Sequence, residues 1–81
     1  MTLEEVEEKT NQIIERILGV DLPQNTKSLR TSDIHGWDSM SHVRIMVAIE
    51  NEFEILFSIP EINDMDSIQE LYVTIAAKCK K

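Results

Sequence analysis

Cysteine is nearly absent from this chain: Cys79 is the only one, so no internal disulfide can form, and that usage fits a reducing compartment. Basic side chains are scarce as well. With 8 lysines and arginines against 15 aspartates and glutamates, the net charge of -7 repels nucleic acid and anionic membrane surfaces and attracts basic protein faces. No apolar run approaches the ~20 residues needed to span a bilayer. The opening stretch, with Glu4, Glu5, Glu7 and Glu8, carries neither a basic leader nor an apolar signal core, so a cytoplasmic address is expected. Paired cysteines and a His-x-x-x-His helix turn are both missing, and Asp64-Met65-Asp66 lacks the glycine and later glutamate of a calcium loop. No metal site is expected from His35, Asp33, Asp38 and His42. Repeats, low-complexity tracts and interdomain linkers are missing too, so one domain over 1–81 is expected.

What is present is helical spacing. Hydrophobic residues make up 42% of the chain, which argues against wholesale disorder. Thr2 and Glu5 have the spacing of a capping box, after which Leu3, Val6, Thr10, Ile13, Ile14, Ile17 and Leu18 share one helical face up to Gly19, a natural stop. Residues 20 to 37 hold Pro23, Asn25, Ser28, Ser32 and Asp33, which is loop chemistry, with Leu29 and Ile34 as apolar anchors. So long a loop is often functional. From Asp38 the spacing of Met40, Val43, Met46, Val47, Glu50 and Phe53, flanked by Ile49, predicts a second helix with its apolar face toward the first. Pro60 is suited to opening a short third helix with Ile62 and Met65 inward. Asp66 or Ser67 then caps a last helix whose stripe is Ile68, Leu71, Tyr72 and Ile75. The expected fold is all-α: a small four-helix bundle of three longer helices and one short one, with the long loop between the first and second.

The segment Gly36-Trp37-Asp38-Ser39-Met40 is the most informative. Asp38 is a good N-cap, which makes Ser39 the first helical residue with its hydroxyl outward, at a helix end whose amides and dipole favour a negative substituent such as a phosphodiester. Gly36 permits a backbone turn that most residues resist, and Trp37 has a large ring with which to pin the loop. Taken alone, a serine at a helix start more often only caps.

In this signature, and in helix order, length and acidity, the chain resembles acyl carrier proteins and the related peptidyl and D-alanyl carriers. The resemblance covers essentially the whole chain. It implies that Ser39 receives 4′-phosphopantetheine from coenzyme A, covalently, by the action of a phosphopantetheinyl transferase. Acyl groups then ride as thioesters on the thiol of that arm, with Asp38 as the cap that the modifying enzyme also recognises and Met40 beside it. Implied partners are acyl-activating, ketosynthase or acyltransferase-type enzymes of fatty-acid, specialised lipid or polyketide-type biosynthesis. The chain would be a non-catalytic monomer, binding no nucleic acid and inserting in no membrane. The family's signature helix is usually acidic along its exposed side, whereas here His42 and Arg44 come first and Glu50, Glu52 and Glu54 later, so these five residues are the expected docking set and favour a specialised pathway. The residue before Gly36, usually apolar in the family, is His35. Val43, Met46, Val47, Phe53 and Ile62 are candidates for a cavity that shelters the acyl chain between helices.

Three alternatives stand beside this one. An aminoacyl or D-alanyl carrier shares the signature, and an unmodified helical interaction module would use Ser39 only as a helix-start residue. A hydrolase would pair Ser39 with His42 one turn on, but Gly-x-Ser-x-Gly is missing and nothing in the sequence supplies an oxyanion pocket. Cys79 sits among Lys78, Lys80 and Lys81, whose charges favour a thiolate, though a terminal residue without a role is the simpler reading.

Overall fold

Local capping chemistry starts each helix. In the computed structural model, which describes residues 2–79, the Thr2 hydroxyl accepts the Glu5 amide at 3.2 Å while the Glu5 carboxylate accepts the Thr2 amide at 3.2 Å. Both bonds satisfy donors that a helix start leaves unpaired, and α1 runs from there over Leu3–Leu18. Gly19 ends it at φ 67, a left-handed conformation that a Cβ would strain. The second helix, α2 (Ser39–Phe53), is capped by Asp38. The short α3 (Ile59–Asp64) begins with a box that the sequence pattern of Pro60 alone does not reveal: Ser58 and Glu61 exchange bonds of 2.7 and 3.2 Å, and Pro60 sits in the first turn. The last helix, α4 (Ile68–Cys79), follows Ser67, whose hydroxyl accepts the Glu70 amide at 3.1 Å. No strand occurs among the described residues, and none of the described helices is long and apolar enough to cross a membrane.

The helix α1 packs against both α2 and α4. The inward face of α4 is Ile68, Leu71, Tyr72 and Ile75, as the spacing predicts, and that of α1 is Val6, Thr10, Ile13 and Ile14, with Ile17 and Leu18 partly buried; Leu3, expected on the same face, lies at the helix start and is exposed. Ile14, Ile45, Ile49, Ile68, Leu71 and Ile75 are completely enclosed. Each contributes about 1.5–3 kcal/mol through loss of contact with water.

On α2 the observed face differs from the expected one. Ile45, Met46, Ile49 and Phe53 point inward, while Met40, Val43 and Val47 stand 75%, 52% and 46% exposed. This segment carries two apolar stripes, and their spacing does not distinguish them. Ile45, Ile49 and Phe53 recur at intervals of four and fill the space against the rest of the core, which leaves the other stripe outside.

The long loop is tied down at successive points. The Leu22 amide donates to the Glu15 carboxylate at 2.9 Å. Thr26 is buried, and its hydroxyl meets the Tyr72 hydroxyl at 2.5 Å, while Tyr72 in turn donates to Asn11 Oδ1. Further on, Ile68 donates to the Leu29 carbonyl at 3.1 Å and Thr31 to the Asp66 carbonyl at 2.9 Å, an isolated antiparallel bridge that fastens the loop to the start of α4. A single 3₁₀ turn (Thr31–Asp33) and the buried Ile34 then lead to the start of α2.

Candidate functional site

Ser39 is exposed and is the first residue of α2, as its sequence context predicts. Asp38 holds it there. The Asp38 carboxylate accepts the Ser41 amide at 2.8 Å, and that bond, with a lesser one from the Ser41 side chain, holds the carboxyl below its ordinary range. Ser39 itself is exposed at the positive end of the helix. Gly36, at φ 87, makes the backbone turn that brings the loop round to Asp38.

Trp37 is half-buried, and its indole N–H donates to Nδ1 of His42 at 3.0 Å. The other ring nitrogen of His42 lies 2.6 Å from the Ile62 carbonyl. An indole nitrogen can only donate, so Nδ1 carries the lone pair and the ring proton sits on Nε2, from which it is given to Ile62. His42 thereby joins the loop, α2 and α3. It has no free nitrogen with which to activate Ser39, which removes the base that a Ser39–His42 hydrolase requires.

Beside these residues an open groove of about 510 Å³ runs along the start of α2. Trp37, Asp38, Ser39, His42, Val43 and Ile62 line one part of it, and Thr31, Ser32, Asn63, Met65 and Asp66 complete it. The chemistry of an exposed alcohol, unpaired helix-end amides and an adjoining groove of mixed polarity fits a phosphodiester-linked arm.

Residues 8–75 match the family of the phosphopantetheine attachment site. The chain belongs to that acyl carrier protein family. A Mycobacterium tuberculosis protein assigned as an acyl carrier protein has the same fold, with a TM-score of 0.81 and 28% identity over 89% of this chain and 96% of that one. The holo acyl carrier protein of Geobacter metallireducens, solved in solution, aligns with a TM-score of 0.79 over 90% of this chain and 84% of its own, and at 23% identity it speaks for the fold alone.

Within this carrier fold the other expected site residues are dispersed. Met40 and Arg44 are exposed on the outer side of α2. His42 is not a surface docking group, because both its nitrogens bond internally. Glu50 turns inward to accept the Phe57 amide at 2.8 Å, which secures the α2–α3 connection, and Glu52 reaches Lys9 of α1 at 3.7 Å. Glu54 is exposed at the end of α2 with φ 55. The five residues of the expected cavity do not converge: Met46 and Phe53 belong to the packed core, Val43 and Ile62 line the open groove, and Val47 faces outward. His35 is exposed, and among the described residues no three histidine, cysteine or acidic side chains gather around a possible ion position. Cys79 is half-buried next to Lys78, while Lys80 and Lys81 lie outside the described residues. Missed by the spacing were Ile45 as core and the Trp37–His42 bond. The first belongs to the Ile45, Ile49, Phe53 stripe, one of two that spacing does not tell apart; the second had no signal beyond the two residue types.

Proposed function

We propose that this chain is a carrier, one domain over residues 1–81, that holds acyl groups as thioesters on a 4′-phosphopantetheine arm attached to Ser39. The observation that carries this reading is the exposed Ser39 hydroxyl at a capped helix start, beside a groove, in a chain that matches the attachment-site family. When bound, the arm supplies a flexible thiol on which acyl groups form thioesters. The chain's own residues position and expose. Asp38 fixes the start of α2, Gly36 and Trp37 set the approach of the loop, and His42 keeps α3 beside the groove. Activation of the Ser39 hydroxyl falls to the phosphopantetheinyl transferase, whose recognition of this site would use Asp38 and Met40. Acyl-activating, ketosynthase or acyltransferase-type enzymes in the cytoplasm would then load and use the arm. Arg44, on α2 where the family is usually acidic, favours a specialised lipid or polyketide-type pathway over bulk fatty-acid synthesis.

The test is to incubate the purified chain with coenzyme A, magnesium and a broad-specificity phosphopantetheinyl transferase and to weigh it intact. A mass gain equal to the arm, lost in Ser39→Ala, is the expected result. A folded chain that gains no mass overturns the reading and leaves the unmodified interaction module. Ester turnover by the bare chain would point instead to hydrolysis.

A further inference from the structure

One side chain stands across the path from Ser39 into the bundle. Ser39, His42, Met46, Ile49 and Phe53 follow one another along α2 at intervals of three and four, so they form a single stripe that starts at the exposed serine and runs down into the core. His42 comes first on it, about 4.5 Å along the axis from Ser39. Its half-buried ring is held from both sides, by the Trp37 indole at Nδ1 (3.0 Å) and by the Ile62 carbonyl at Nε2 (2.6 Å), and so fills the junction of the loop, α2 and α3. Behind it Met46 and Ile49 are completely enclosed and Phe53 nearly so. A group tethered at Ser39 reaches the core along this stripe only by breaking both bonds of His42 and then displacing close-packed side chains. In front of His42 the surface is wet: the open groove beside Ser39 is walled in part by the hydroxyls of Thr31 and Ser32, the Asn63 amide and the Asp66 carboxylate. An alkyl chain laid there keeps much of its surface in water and gains little.

We infer that His42 bars the cargo from the interior of this bundle, and that the chain serves short or polar acyl groups, whose thioesters it holds in the open. The inference rests on the carrier reading and narrows its substrate class. A short acyl group, or one bearing hydroxyl or amide substituents, has little apolar surface to hide, so it loses nothing by staying outside. An enzyme then meets the thioester without first drawing it out of a core. A long alkyl group has the opposite need, an apolar shelter, and His42 closes the way to it.

The experiment loads the apo chain from acetyl or octanoyl coenzyme A, using magnesium and a broad-specificity phosphopantetheinyl transferase, and confirms each product by intact mass. Cleavage of the thioester by hydroxylamine is then timed against that of the free acyl coenzyme A. In the wild type both thioesters are expected to be cleaved within about two-fold of their free counterparts, since a group outside the bundle is accessible all the time. The methyl resonances of Met46 and Ile49 should be the same in the holo and octanoyl forms. His42→Ala removes the ring and both its bonds; its octanoyl thioester should be cleaved about ten-fold more slowly than in the wild type, as for a group sheltered about nine-tenths of the time, with the acetyl thioester unchanged. Slow cleavage of the octanoyl thioester on the folded wild type, or movement of the Met46 and Ile49 methyl resonances on octanoylation, overturns the barrier while leaving the carrier reading intact. So does a folded His42→Ala chain whose octanoyl thioester stays as open as in the wild type. The two wild-type measurements decide by themselves if His42→Ala does not fold. A folded wild type that gains no mass from either coenzyme A derivative overturns the carrier reading itself.

Discussion

The indole N–H of Trp37 donates to Nδ1 of His42 at 3.0 Å, and the two rings lie tilted at 46° with centroids 5.9 Å apart. One residue of the loop and one of α2 are thus bound as a pair on the wall of the groove beside Ser39, and through Nε2 the pair extends to the Ile62 carbonyl of α3. Because an indole nitrogen can only donate, Nδ1 is the acceptor of this pair and Nε2 the nitrogen that faces the Ile62 carbonyl.

Replacing His42 with Phe keeps a flat ring but removes both bonds. The Trp37 donor and the Ile62 carbonyl lose their partner, and the expected cost is about 1–2 kcal/mol in urea unfolding. Trp37 fluorescence should shift to longer wavelength as the indole loosens into solvent. Unchanged stability and emission would show that the relay holds nothing together.

Tyr72 is the pivot of the long loop, since it accepts from Thr26 and donates to Asn11 inside the bundle. In Tyr72→Phe the buried Thr26 hydroxyl is stranded, and we expect a loss of about 1–3 kcal/mol with faster hydrogen exchange in residues 22–31. Alkaline pH acts on the same group. Burial pushes the Tyr72 hydroxyl above its ordinary value of 10.0, an effect only partly offset by its bonds to Thr26 and Asn11. Below that value its contribution is fully present. As pH rises beyond it the unfolded chain releases the phenolic proton first, so stability falls until the folded value is passed. Tyr72→Phe should flatten this alkaline decline in denaturant titrations.

Thr10 is completely enclosed in α1, and its hydroxyl oxygen has no hydrogen-bond partner. Thr10→Val keeps the shape and removes the unpaired polar atom. A gain of about 1 kcal/mol is expected, read as a higher urea midpoint at unchanged slope. A loss of stability would mean that the hydroxyl is satisfied in solution, most simply by an ordered water.

Glu54 ends α2 at φ 55, a left-handed conformation that costs a residue with a Cβ roughly 1–2 kcal/mol. Glycine occupies that region freely, as Gly19 does at the end of α1. Glu54→Gly should therefore stabilise the chain by about 0.5–1 kcal/mol, after allowance for the greater freedom of glycine when unfolded. Thermal unfolding checks this, and a lower midpoint would assign the Glu54 side chain a stabilising contact of its own.

Much of the fold was legible because helix ends are written in neighbouring residues. The pairs Thr2 with Glu5 and Ser67 with Glu70, the stop at Gly19 and the cap at Asp38 all act over three or four positions, and each lies where the pattern places it. The stripes of α1 and α4 were legible too, since each of those helices offers one apolar face. On α2, Met40, Val43 and Val47 compete with Ile45, Ile49 and Phe53, and spacing alone does not choose between them. Glu50 and His42 read as surface charge and surface imidazole because their internal partners, the Phe57 amide and the Ile62 carbonyl, are contributed by other segments.

By itself, then, the sequence determined where α1 begins and ends, where α2 and α4 begin, that Ser39 stands first in α2, and which family motif surrounds it, because these are matters of local bonding and local order. Tertiary structure decided which side of α2 is buried, that the loop is anchored through Thr26 and Tyr72, and that His42 is bound between Trp37 and Ile62. Each of those depends on groups far apart in the chain, and only packing brings them within bonding distance.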